Sequence, residues 1–498
     1  MNIEAEIQNV LQELGTGQMS GTAYDTAWIA RLGEVDSNLS DPALDWLCEN
    51  QLADGSWGAK EISYYHDRVV STLSAMIALT RHKHRASHQI QIEKGLQALE
   101  KIMSGAAQGL RADFNGATVG FEMIVPTLIA EAEKFGLINQ QNGAMLEYLK
   151  NRRSTKLGLF KGKMIDYKMS AAFSAEMAGT DGQHMLDIDN LQENNGSIGH
   201  SPSATAYYAI YLKHGDAKAL EYLHKFVNPA KGAPNLIPFE TFEANWVLWN
   251  LGLINYDWNK KGGVGFQKAI GILKRAWQPG KGMGLSIDYS VPDGDDTLVA
   301  CELLARFDNN MDLESIFAFE GAEHFCAYPD EANSSSSLNI HAIGTLRQAG
   351  FKSDDPKILK IIAYLQKSKY REGYWLDKWN LSPYYTTAHA IIVCAGYADP
   401  LLNQSLDWIL QTQNKDGSWG YQFSTAEETA YCIQALAIYQ KQGGRIPSTV
   451  ISNAVTWLKD HSEPPYPPIW IGKGLYTPNL IVRSTILSAL SLAEGWQI

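Results

Sequence analysis

Gln51-Leu52-Ala53-Asp54-Gly55-Ser56-Trp57 returns far along the chain as Gln413-Asn414-Lys415-Asp416-Gly417-Ser418-Trp419, matching at Gln, Asp, Gly, Ser and Trp. Each copy follows an apolar stretch with its own tryptophan, Trp46-Leu47-Cys48 and Trp408-Ile409-Leu410. Gln can bond backbone groups at a helix end, Gly permits a turn, and Trp packs over it. The unit therefore reads as helix, glycine-centred turn, helix. Degenerate copies lie at Asn194-Asn195-Gly196-Ser197-Ile198, before Ser201-Pro202-Ser203-Ala204, and from Gln366 to Trp375, before Ser382-Pro383-Tyr384-Tyr385. Helix pairs repeated in both halves predict an all-α protein of two toroids.

The flanking patterns agree. Val69, Leu73, Met76 and Ile77 recur at i, i+4, i+7 and i+8 after Tyr65-His66-Asp67-Arg68, which predicts one apolar helix face. Thr425-Ala426-Glu427-Glu428 is a capping box, opening a helix with Ala430, Ile433, Leu436 and Ala437 on one face. Alternating runs of strand length are scarce. The loop signals Asn228 to Pro234 and Asn259 to Gly263 are rich in Gly, Pro and Asn, and the first marks the best domain boundary. A chain of 498 residues has the length of two to three domains.

With 45% hydrophobic and 19% charged residues the composition is globular. No uninterrupted apolar run reaches the roughly 18 residues of a membrane span. The start, Met1-Asn2-Ile3-Glu4-Ala5-Glu6, is acidic and unlike a signal peptide, and the five cysteines form no CxxC pair; a reduced, cytoplasmic setting is expected. A formal charge of −12 argues against nucleic acid and requires local cations or a divalent metal for any anionic substrate.

The chemistry concentrates in Val291-Pro292-Asp293-Gly294-Asp295-Asp296-Thr297, an acidic cluster against apolar flanks. Carboxyls this close cannot all ionise cheaply when partly buried, so one holds a proton at neutral pH and can act as a general acid. A metal site and a helix N-cap are the alternatives. Between Arg152 and Lys168 the cations Arg152, Arg153, Lys156, Lys161, Lys163 and Lys168 face only Asp166, a run that fits either a phosphate or a solvated face. Lys473 is a better single candidate because its surroundings are apolar. The glycine-rich pieces at 262–265 and 280–284 lack nucleotide-loop spacing, and no zinc-ligand spacing or Gly-x-Ser-x-Gly is present. Trp28, Trp57, Trp246, Trp249, Trp375, Trp379, Tyr384, Tyr385 and Trp419 offer either core or π faces that stabilise carbocations. Acid plus aromatic cavity points to carbocation chemistry on an alkene.

Asp293-Gly294-Asp295-Asp296-Thr297 resembles the Asp-x-Asp-Asp motif of class II terpene cyclases, and the Gln-x-x-x-Gly-x-Trp repeats belong to the same superfamily. Tyr24-Asp25-Thr26-Ala27-Trp28, Val119-Gly120-Phe121-Glu122 and Lys378-Trp379 to His389 resemble signatures of class II diterpene cyclases, so the likeness spans nearly the whole chain. The resemblance implies two α/α barrels in a βγ arrangement: residues 1–20 and 234–498 as the β domain, with the γ domain, 21–233, inserted. It implies that Asp295 protonates geranylgeranyl diphosphate, that Asp293 and Asp296 hold it protonated, and that Asn339 hydrogen-bonds it. The product would be a bicyclic diterpenyl diphosphate of halimadienyl, kolavenyl or copalyl type. Diphosphate anchoring would use Mg²⁺ with Glu122, and Lys168 and Lys473 on the basic side; Trp28, Trp379 and Tyr385 would contact substrate. A downstream class I synthase, transferase or phosphatase would take the product. Plant ent-copalyl synthases carry a His-containing base dyad where Tyr167 to Glu176 has no His, which favours a rearranged skeleton. A squalene–hopene-type triterpene cyclase and a non-catalytic toroid are the rival readings.

Overall fold

The computed structural model describes residues 2–82, 86–106, 117–139, 144–256, 258–308, 311–329 and 331–494. Helices Glu240–Gly252, Gly294–Asp308, Ser336–Gln348, Pro383–Cys394, Ala426–Lys441 and Asn479–Glu494 pack each on the next, and the last returns to the first. That closed ring is an α/α barrel. A second ring closes through Ala23–Ala30, Tyr65–Arg81, Phe121–Lys134, the 3₁₀ segment Ser170–Ala178 and Pro202–Tyr207. Among the described residues the strands are one short hairpin, with Trp470 opposite Tyr476 and Ile471 opposite Leu475.

Inner and outer helices differ in burial, and this explains one departure from the sequence reading. Outer helix Pro356–Ser368 buries a single stripe, Ile358, Ile361 and Leu365. Inner helix Tyr65–Arg81 instead buries every residue from His66 to Thr80, so the single apolar face expected for it is wrong. The lead-in is its first turn: Asp67 accepts from the Ala59 and Leu475 amides at 2.7 and 3.1 Å, and Arg68 donates to the Ala59 carbonyl at 2.7 Å. Polar residues enter the interior there because they close loops.

The repeats are the mechanical joints of both rings. Gln51 Nε2 donates to the carbonyls of Gly55 and Gln91, both at 2.8 Å, and Gln413 Nε2 to those of Gly417 and Val450 at 2.8 and 2.9 Å. Each glutamine thus ties its turn to an outer helix that follows. The indole N–H of Trp57 bonds the Leu47 carbonyl and that of Trp419 the Ile409 carbonyl, each at 2.8 Å. Gly55 and Gly417 have φ of 89° and 94°, which side chains rarely adopt. The degenerate copy in the first half begins at Gln192, whose Nε2 reaches the Gly196 carbonyl at 3.0 Å. In the copy ending at Trp375 the glutamine position is Lys369 rather than Gln366. Its ammonium meets the carbonyls of Leu401 and Asn403 at 2.8 and 2.5 Å, and burial lowers its pKa to about 8.

Two hydrophobic cores result. One draws on residues between Ala23 and Ala233. The other combines Ile7, Val10, Leu11 and Leu14 of the N-terminal helix with residues from Ala244 to Ala493, and takes in Ala59 and Ile62 as well.

Candidate active site

The acidic motif forms the first turn of inner helix Gly294–Asp308. Asp293 Oδ1 accepts from the amides of Asp295 and Asp296 at 2.8 and 3.1 Å, capping the orphan donors there. Gly294 is required by crowding: a Cβ would stand 2.3 Å from the Cys326 carbonyl oxygen. Asp296 Oδ1 accepts from Asn245 Nδ2 at 3.1 Å. Asp295 Oδ1 lies 2.8 Å from His341 Nδ1, and His341 Nε2 lies 3.1 Å from His389 Nδ1. His389 Nε2 is buried without a partner. We assign the protons so that no buried N–H is stranded: His389 Nδ1–H donates to His341, and His341 Nδ1–H donates to Asp295. Asp295 Oδ2 has no protein partner among the described hydrogen bonds and is left facing the space beside it.

Among the described residues no lysine or arginine pairs with these carboxyls. Burial, and then the charge of Asp295, pushes Asp293 up to about 6, opposed by bonds from Tyr328 and the two amides. Burial, and then Asp293, raises Asp296 well above the ordinary carboxylate range. Burial and the neighbouring His341 keep His389 neutral at physiological pH. Burial and mutual repulsion thus push Asp293 and Asp296 toward their protonated forms.

All three carboxyls line a cavity of about 330 Å³, the size of a small-molecule site. Trp246, Tyr385, Trp470, Tyr476 and Phe242 surround that end, and Phe173, Tyr289 and Tyr328 continue the wall. The rim carries two ion pairs. Lys156 Nζ meets Glu122 at 2.7 Å, and Lys378 Nζ meets Glu331 at 2.8 Å. Leu159 and Ala332 beside them are exposed, whereas Asp295 is only 9% exposed. The cavity runs from a charged, open rim to an acidic, aromatic floor.

The structure brings Asp293, Asp295, Asp296, Trp379, Tyr385 and Glu122 to this cavity and leaves other expected residues outside it. Asn339 makes no bond to Asp295. Its amide accepts from the Phe325 N–H and donates to the Phe325 and Ser335 carbonyls at 2.9–3.0 Å, so it braces a loop. His341, two residues on and therefore across the helix, takes the place beside the acid. Lys473 is fully buried, 2.5 Å from Glu176 Oε1 and 2.7 Å from the hydroxyls of Ser201 and Ser203; its charge is already answered. Lys168 is exposed beside the Tyr167 ring, and of its basic run Lys156 is the cation at the cavity. Trp28 sits in the smaller core with Arg31 3.9 Å from its ring centroid. Trp57, Trp375 and Trp419 pack turns, Trp249 stacks behind the cavity on His389 at 4.5 Å, and Tyr384 stacks on Trp408. Sequence reasoning did not single out His341, His389 or Asn245, and named Lys156 only as one member of a basic run. The signal available was a histidine on each of two repeat helices, downstream of the capping serines Ser335 and Ser382.

Comparison with known proteins agrees with this geometry. The squalene-hopene cyclase C-terminal domain family matches residues 308–437. The chain is 46% identical over 486 residues to a type B diterpene cyclase of Mycobacterium tuberculosis, covering 97% of each. It is 29% identical over 517 residues to the (+)-kolavenyl diphosphate synthase of Herpetosiphon aurantiacus, covering 97% of this chain and 96% of that protein. The solved ent-copalyl diphosphate synthase from Streptomyces platensis shares the fold, with a TM-score of 0.80 at 24% identity over 99% of this chain and 100% of that one. The double α/α barrel is thus that of the terpene cyclases. Within them, the chain belongs to the type B, or class II, diterpene cyclase family. Among the described residues no helix is long and apolar enough to cross a membrane.

Proposed function

We propose that the protein cyclises geranylgeranyl diphosphate to a bicyclic diterpenyl diphosphate by protonating its terminal alkene from Asp295. The observation that carries this reading is a buried carboxyl, oriented by His341 at 2.8 Å, at the aromatic floor of a cavity open at its rim. The proton leaves Asp295 Oδ2 for the alkene carbon. Neighbouring double bonds then supply the electron pairs for two ring closures, and the last cation loses a proton to a base. One proton enters and one leaves, so the product is an isomer and the carbon–oxygen bond to diphosphate stays intact. An alkene is a weak base, so the donor must be protonated at rest and strong in reaction. The uncompensated carboxyls serve the first need, and the His341 donor, whose bond strengthens as the carboxylate forms, serves the second. The faces of Trp246, Tyr385 and Trp470 shield the cation without quenching it.

The diphosphate would lie at the rim with Lys156. Mg²⁺ is commonly held by one or two carboxylates plus substrate phosphates, and Glu122, at the cavity and paired only with Lys156 among the described ion pairs, fits that role. Mg²⁺ would there neutralise the anion and fix its position. We read residues 1–20 with 234–498 as one domain and 21–233 as the other. The two cores support that division, although Ala59 and Ile62 reach across it. Incubation with geranylgeranyl diphosphate and Mg²⁺, dephosphorylation and mass spectrometry should yield a bicyclic alcohol. Recovery of acyclic geranylgeraniol alone, with squalene converted instead, would overturn the reading.

A further inference from the structure

Beside the catalytic turn, His324, Cys326 and Glu331 bring one ligand atom each within 4.8 Å of one another. Glu331 Oε1 is buried and is the carboxylate oxygen nearest the imidazole, 3.9 Å from His324 Nε2. The second carboxylate oxygen, Glu331 Oε2, is engaged by Lys378 Nζ at 2.8 Å and by the Ala327 amide at 2.9 Å, which fixes the carboxylate, and the Cys326 thiol shares a hydrogen bond with it. The imidazole is held by stacking on Tyr364, 4.7 Å between centroids at 24°. His324 Nε2 is 3.9 Å from Glu331 Oε1, close to the ligand–ligand spacing in a tetrahedral site with metal–ligand bonds of about 2.0–2.3 Å.

We propose that His324, Cys326 and Glu331 form a binding site for a soft divalent cation of the zinc type, separate from the substrate's Mg²⁺. A thiolate with an imidazole and one carboxylate selects Zn²⁺ or Co²⁺ over Mg²⁺, which prefers all-oxygen octahedra. As the metal–sulfur bond forms, the thiol proton leaves to solvent; His324 binds neutral, and water completes the tetrahedron. Pairing rules for zinc motifs overlook the set because it holds one His, one Cys and one Glu within eight residues of loop. The site would pin that loop where Ala327 accepts from Gly294 N–H at 2.9 Å and Tyr328 bonds Asp293.

The test is titration of the dialysed full-length protein with Co²⁺, without substrate, so that its outcome is independent of the cyclase reading. Wild type should take up one equivalent with a thiolate-to-cobalt charge-transfer band, displaced by Zn²⁺ and untouched by excess Mg²⁺. Changes even to outer-shell partners weaken metal sites by about 10–100-fold, so Cys326→Ser should lose the band and His324→Ala should bind at least about tenfold more weakly, while Cys48→Ser keeps it. No band in wild type, or the same band in Cys326→Ser, overturns the proposal. Should Cys326→Ser misfold, wild type decides alone: one equivalent of Zn²⁺ with a raised Tm supports the site, and neither overturns it.

Discussion

At the Lys473 corner an ammonium is answered by one carboxylate and two hydroxyls within 2.5–2.7 Å, whereas at the Asp295 corner three carboxyls meet no ammonium among the described residues. Both clusters are buried. Lys473 directly follows the Trp470–Gly472 stretch of the cavity wall, and Asp295 is part of that wall. The first links the barrels: Lys473 sits on the loop of the β-hairpin and Glu176 in the 3₁₀ segment Ser170–Ala178. At the second, burial and mutual repulsion push Asp293 and Asp296 toward their protonated forms, and what sets this cluster apart from other buried carboxyls such as Glu243 is that it lines the cavity.

Exchanging the two corners' properties should therefore have opposite consequences. Asp295→Asn should remove general-acid catalysis, lowering turnover by the about 10²–10⁴-fold such groups contribute, or more. Circular dichroism should show the fold unchanged. His341→Phe in the same assay should lose about 10²-fold in kcat with KM retained; turnover equal to wild type in either variant removes that residue from the acid. Lys473→Met should act on stability instead, since stripping one partner from a buried pair costs about 3–5 kcal/mol. Denaturant unfolding should report that loss, while the folded fraction still cyclises substrate.

The pH dependence of stability sharpens the contrast. Asp293 is raised from 3.8 to about 6 in the folded protein. Its contribution is fully present below the unfolded value near pH 3.8 and is lost as pH rises through about 6, a change of roughly 3 kcal/mol for a shift near two units. Asp293→Asn keeps a capping oxygen and should flatten that fall in urea unfolding measured from pH 4 to 7. A fall of the same size in the variant would show that Asp293 is not its source. The smallest effect is expected at the rim: Lys156→Ala should raise KM several-fold, and Lys168→Ala should leave it unchanged in steady-state assays.

Much of the fold was legible because its joints are local. A glycine at positive φ, a glutamine four residues before it and a tryptophan two after it bond to their own neighbourhood, so the turn is written in one heptapeptide. Inner helices were legible as helices but not as inner ones: Tyr65–Arg81 is buried on all sides, so the period at Val69, Leu73, Met76 and Ile77 marked the helix without its surroundings, whereas the outer helix Pro356–Ser368 buries one stripe. Lys369 escaped because it does glutamine's work with an ammonium. At the site, the crowded aspartates were legible as proton holders from charge alone. Asn339 and His341 were not separable, because two residues along a helix turn a side chain by about 200° and only the barrel decides which face meets Asp295. The basic run likewise announced a charge without saying that Lys156 was the member turned inward.

On the proposed mechanism, chemistry begins with a proton delivered by Asp295 and leaves the diphosphate in place. Turnover of geranylgeranyl diphosphate in D₂O, followed by mass spectrometry of the intact diphosphate product, tests both halves at once. A bicyclic diphosphate carrying one deuterium on the former terminal alkene carbon, its yield cut at least about 10²-fold in Asp295→Asn, is the expected result. A cyclised hydrocarbon or alcohol without deuterium, formed as the diphosphate is released, would contradict it.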